Sequence, residues 1–168
     1  MRLSMNIKDK ISFWSASYVI GLLPSEDFPA IADELIQNGY ESPELLMLSL
    51  PSEANHDTYK LAFEELGFTF PSKGEAERIV IGYYVENLIG SDDPLGCLDE
   101  IKHLRDWICP VKEGCRMCTF PDLNKLANCY WAYEDLIEFA DTKDSRDKLT
   151  QDVLSLAVAL RDECPIIS

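Results

Sequence analysis

Apolar residues recur at helical period from one end of the chain to the other, and no strands alternate with the helices; this restricts the fold to helix packed on helix. Phe28, Ile31, Ala32, Leu35 and Ile36 fall at i, i+3, i+4, i+7 and i+8, and Gly39 follows where a left-handed cap ends a helix. Ser42-Pro43-Glu44 places a capping residue, a proline and an acid at the start of a short helix that ends before Pro51. Tyr59, Ala62, Phe63 and Leu66 form a third stripe, closed by Gly67. Ser72 and Glu75 make a capping box for a longer helix that turns Ala76, Ile79, Val80 and Tyr83 inward and stops at Gly90. Asp93-Pro94 opens the next, which carries Leu95, Leu98, Ile101 and Leu104 as far as Trp107.

Residues 108–121 interrupt the pattern with Pro110, Gly114 and Pro121 around three cysteines. Beyond them, Leu123, Leu126, Ala127, Tyr130, Ile137 and Ala140 describe a long helix, and Val153, Leu156, Ala157 and Leu160 a last one before Pro165. An opening helix around Ile11 to Leu23, with Phe13, Trp14 and Tyr18, completes the set. The expected fold is all-α: one acidic domain over residues 1–168, of about eight helices, arranged as an irregular bundle or stacked helical hairpins, with a cysteine-containing loop at 108–121. No repeat of fixed period and residue pattern accompanies the helix pairs between residues 25 and 107.

Charge narrows the function. Fifteen Lys and Arg stand against 30 Asp and Glu, a formal net charge of −15. Residues 1–84 carry 6 basic and 13 acidic groups and residues 85–168 carry 9 and 17, so no acidic tail is responsible. Direct binding to a nucleic-acid backbone or to anionic lipid is disfavoured, because both need clustered Lys and Arg. Charge breaks the N-terminal segment Met1 to Lys10 too early for a signal peptide, and the apolar stretch Ile79 to Val85 is too short to span a bilayer. The expected location is the cytoplasm, where cysteines are mostly reduced.

The six cysteines are Cys97, Cys109, Cys115, Cys118, Cys129 and Cys164. Cys115-x2-Cys118 offers two thiolates, and Cys109, Cys129 or His103 could complete a tetrahedral zinc site, making residues 103–129 an alternative zinc- or thiol-dependent module. Strong zinc signatures pair two such knuckles and here there is one, so the leading expectation is reduced, partly buried cysteines with no metal and no cofactor. Cys115-Arg116-Met117-Cys118 also has the spacing of a redox pair or disulfide, without the strand-to-helix context of a thioredoxin-like site. His56 sits near a helix start, and His103 follows Asp99 at i+4 on one helix face, the ordinary setting of a surface hydrogen bond. No Gly-x-Ser-x-Gly elbow accompanies either histidine.

The acids have one collective feature. Glu134, Glu138 and Asp141 lie at i, i+4 and i+7 on the long helix with Asp135 at the edge, and each like-charge i, i+4 pair costs a few tenths of a kcal/mol. A solvated face accounts for many such acids, but an uncompensated stripe also suits a basic partner that it steers and clamps. These four, with Asp92, Asp93, Asp99 and Glu100 as a second patch, are the expected partner contacts. Asp144 and Asp147 prolong the acidic surface into the following turn, where Lys143, Arg146 and Lys148 partly neutralise it.

Residues 39–101 carry a resemblance. Gly39-Tyr40-Glu41-Ser42-Pro43-Glu44-Leu45, then Leu48 and Leu50, Phe63-Glu64-Glu65-Leu66-Gly67, Pro71-Ser72 with Glu75-Ala76, and Gly90 with Asp93-Pro94 and Ile101, resemble a loose group of small acidic helical bacterial proteins. Some of that group look like immunity proteins encoded beside secreted toxins, including those of contact-dependent growth-inhibition systems. The matching positions are caps, turns and core residues, which speak for a shared fold, and none is catalytic. The resemblance implies a non-enzymatic helical protein that neutralises a cognate toxin, and the charge implies that the toxin is basic and nuclease-like.

Overall fold

The computed structural model describes residues 5–110, 119–139 and 142–165. Eight α-helices and one 3-10 turn account for the secondary structure of these residues, and no strand occurs among them. The chain is all-α. Its contacts divide it into two compact units, Met5–Glu77 and Arg78 onward, and the division falls inside one continuous helix.

In the first unit, α1 (Ile7–Val19) begins earlier than the apolar pattern alone implies, because the Asn6 side chain accepts from the Asp9 N–H at 3.0 Å and sets the N-cap there. Helices α2 (Phe28–Gln37), α3 (Pro43–Leu48) and α4 (His56–Glu65) follow the expected stripes. Gly39 and Gly67 take positive φ of 86° and 77° and close α2 and α4. At each, two backbone bonds complete the cap: Gly39 N–H to Ile36 and Tyr40 N–H to Leu35, then Gly67 N–H to Glu64 and Phe68 N–H to Phe63. At α3, Ser42 Oγ accepts from Leu45 N–H at 3.0 Å.

Short connections force α3 against both α2 and α4. Their apolar faces meet over Phe28, Ile31, Leu35, Leu45, Leu48, Tyr59 and Phe63, all at most 5% exposed. Tyr59 lies at the centre of the aromatic packing, with ring centroids 4.2 Å from Phe63, 4.6 Å from Phe28 and 4.8 Å from Tyr18.

Helix α5 (Lys73–Ile89) starts at the expected capping box: the Glu75 carboxylate accepts from the Ser72 N–H at 2.9 Å and from its hydroxyl at 2.6 Å. Val80, Ile81, Tyr83, Val85 and Leu88 are buried on several of its sides, while Ile79 is only half-buried.

In the second unit, α6 (Leu98–Ile108) starts later than Asp93-Pro94 suggests. The cap is real but serves a tighter turn: Asp93 Oδ1 accepts from Gly96 N–H at 3.1 Å, and Cys97 and Leu98 bond back three residues to Pro94 and Leu95. Helix α7 (Pro121–Phe139) packs on α6, and α8 (Lys143–Glu163) packs on α7, forming successive hairpins. Asp144 and Asp147, expected in a turn, lie on α8, whose N-cap is Thr142. Arg78 holds the far end of α8 by donating to the Glu163 carbonyl at 2.9 Å, with its guanidinium 5.6 Å from the Phe120 ring centroid. Among the described residues no helix is long and apolar enough to cross a membrane.

Candidate functional site

Register between α6 and α7 decides what the long helix exposes. Arg105 of α6 donates to Asn124 Oδ1 at 2.7 Å and Asn128 Oδ1 at 3.4 Å, one turn apart on α7. Three residues earlier on α6, Lys102 lies over Tyr130 and Trp131. The helices therefore run antiparallel. Since α6 has 11 residues and α7 has 19, α6 runs out before the last two turns of α7, and α8, which also packs on α7, leaves their outer side exposed.

The apolar stripe on α7 is consequently buried only at Leu123, Leu126 and Ala127. Tyr130, expected to face the core, is half-buried, and Ile137 is 48% exposed. Phe139 at 75% exposure joins Ile137 on those last turns, and Trp131, beside the end of α6, is itself 55% exposed. Ala140 and Asp141 lie outside the described residues.

The acids share this segment. Glu134, Asp135 and Glu138 are all exposed. Helical geometry sorts the side chains into two neighbouring rows, Tyr130, Glu134 and Glu138 in one and Trp131, Asp135 and Phe139 in the other. Each row starts with an aromatic ring beside α6 and continues outward through acid. Lys102 Nζ sits 4.4 Å from the Tyr130 centroid and 4.9 Å from that of Trp131, and the two rings meet edge to face at 5.2 Å and 82°. Loss of hydration raises the Tyr130 phenol above its ordinary pKa, and the Glu134 and Asp99 carboxylates raise it further.

Asp99 thus joins the α7 stripe through the Tyr130 ring, uniting part of the second acidic patch with the first. Glu100 faces elsewhere, acting on the Tyr84 phenol of α5. Asp93 is committed to its turn, and Asp92 stands exposed beside it. His103 Nδ1 lies 2.7 Å from the Asp99 carbonyl oxygen and 3.4 Å from its carboxylate, with both side chains largely exposed.

Lys102 and Trp131 are absent from the sequence-based contact set, although the Tyr130-Trp131 pair held a clue. Adjacent residues on a helix point about 100° apart, so both rings cannot enter one core face.

The cysteines divide. Cys97, Cys129 and Cys164 are free, whereas Cys109, expected to be reduced, is disulfide-bonded. Cys115 and Cys118 lie outside the described residues. Cys129 Sγ donates to the Lys125 carbonyl at 3.5 Å; burial first, then Asp152, pushes its thiol pKa up. That is the opposite of an activated thiolate. Among the described residues no three His, Cys, Asp or Glu side chains come together in a way that could hold a metal ion. What the α6–α7 face offers chemically is attraction for cations and exposed apolar area, with no nucleophile paired to a base. Comparison with protein-family models, curated proteins and solved structures finds no match to this chain.

Proposed function

We propose that this protein is a cytoplasmic immunity protein that neutralises a basic, nuclease-like toxin domain by stoichiometric occlusion, without catalysis of its own. One observation carries the reading: the outer side of the C-terminal half of α7 exposes Trp131, Ile137 and Phe139 interleaved with Glu134, Asp135 and Glu138. An apolar anchor in an acidic rim is the composition that captures a basic surface. The rings supply area that is desolvated on contact, and the acids supply long-range steering. Carboxylates would occupy positions where the toxin otherwise holds phosphates. The net charge of −15 adds to the attraction and discourages direct competition for the nucleic acid itself.

The test is to mix the protein with the product of the gene immediately upstream. A one-to-one complex of roughly nanomolar affinity, weakened by salt and accompanied by loss of toxicity, is expected. A toxin encoded there that neither binds nor is neutralised overturns the proposal. The second reading is a helical adaptor, favoured by the exposed Leu46, Met47 and Leu50 on and just after α3. Its complex would be nearly independent of salt.

A further inference from the structure

Lys102 occupies a position where a cation gains twice. Its ammonium lies within 5 Å of two aromatic rings, and the Asp99 and Glu134 carboxylates both act on the Tyr130 phenol, raising its pKa. Lys102 is itself only half-buried and Trp131 is 55% exposed, so the arrangement opens to solvent. A core-directed contact would be closed on all sides. Here a lysine covers one side of an aromatic pair, in a protein where acids outnumber bases two to one.

We propose, building on the capture of a basic partner described above, that Tyr130 and Trp131 form an arginine-accepting face that Lys102 fills in the free protein and yields in the complex. Arginine is the fitting occupant because its guanidinium is planar, stacks flat on an aromatic ring and is less strongly hydrated than an ammonium. It also reaches a neighbouring carboxylate with two parallel hydrogen bonds, which Asp99 or Glu134 can accept. Lys102 keeps the rings from presenting a bare apolar surface in the free state, and its flexible stem lets it swing into solvent when displaced. The partner is therefore expected to place an arginine, not a lysine, at the centre of its contact.

Hexa-arginine and hexalysine peptides test this on the intact protein, with the indole N–H signal of Trp131 as the readout. Hexa-arginine should shift that signal and bind more tightly than hexalysine. Lys102→Met removes the internal competitor and should tighten hexa-arginine binding by about fivefold, the worth of one exposed cation–π contact. Lys125→Met makes the same change of charge farther back on α7 and should change affinity less than about twofold. An unmoved Trp131 signal, equal effects of the two lysine variants, or equal affinity for the two peptides would each overturn the assignment. Should Lys102→Met fail to fold, Trp131→Leu keeps the apolar bulk and should weaken hexa-arginine binding selectively. Because the peptides replace the toxin, the outcomes separate. A responsive Trp131 without any toxin complex sinks only the immunity reading, and a toxin complex untouched by Trp131→Leu sinks only the arginine face.

Discussion

Glu44 and Glu65 set two carboxyl groups against each other, from the first turn of α3 and the last turn of α4. The side-chain hydrogen bond with Glu44 is the main cause that raises the Glu65 pKa, and the Ser42 hydroxyl pulls it the other way. A carboxyl with a raised pKa in the folded state holds its proton more tightly there than in the unfolded chain. Its contribution is present at low pH and lost as pH rises through the folded pKa. At neutral pH the pair repels. Glu65→Gln keeps a donor for Glu44 and removes that repulsion, so it should raise Tm at neutral pH, and the advantage over the parent should shrink towards about pH 4. Thermal melts across that range check it, and an unchanged or lower Tm at neutral pH would refute the pairing. Tyr59 poses a different residue-scale question, since its ring is fully buried but its hydroxyl meets no hydrogen-bond partner among the described residues. Tyr59→Phe keeps the stacking with Phe63, Phe28 and Tyr18 and should stabilise the fold by about 1 kcal/mol in urea denaturation. Tyr59→Ala should instead cost ~3–5 kcal/mol.

At the scale of elements, helix ends were readable because their causes are local. Gly39 and Gly67 take positive φ with nothing within 4 Å of an added Cβ, so conformation alone demands glycine there. Gly67→Ala should therefore destabilise by about 1–2 kcal/mol, and Gly67→Asn by clearly less, as equilibrium unfolding would show. Equal costs would mean that the site is limited by space. The start of α6 misled for an equally physical reason. Asp93-Pro94 carries a true cap signal, but Gly96 is a poor helix former, and the carboxylate closes a turn over it before α6 begins. The exposed end of α7 lay beyond local signals altogether. Its apolar period continues through Ile137, and only the packing of the shorter α6 and of α8 determines that the outer side of the last turns stays exposed. The acidic residues of the candidate site could be named from spacing, whereas the ring pair and its lysine emerge only when two helices are laid together. The division into two units was hidden likewise, because it falls inside α5 and leaves no Pro- or Gly-rich linker to read.

For the whole molecule, the excess of acid sets stability and binding against each other. Self-repulsion from a net charge of −15 acts on the free protein, while the same charge draws in a basic partner. Salt should therefore have opposite signs in two assays: added salt raises the Tm of the free chain by screening repulsion and weakens the complex by screening attraction. The α7 stripe should show the same opposition locally. Glu134→Gln with Glu138→Gln removes one i, i+4 repulsion and should stabilise the free protein by about 0.2–0.5 kcal/mol. The same pair should slow association with the basic partner by up to about tenfold, with less change in dissociation, since exposed charge acts mainly on encounter. A matched pair in the other unit, Glu26→Gln with Asp27→Asn in the turn before α2, makes the same change of net charge and should slow association much less if the stripe itself steers the partner. If both pairs slow association equally, the acids serve only the bulk field. If the α7 pair stabilises the chain and leaves association unchanged, the stripe is a solvated surface, and the docking face must be sought on another helix.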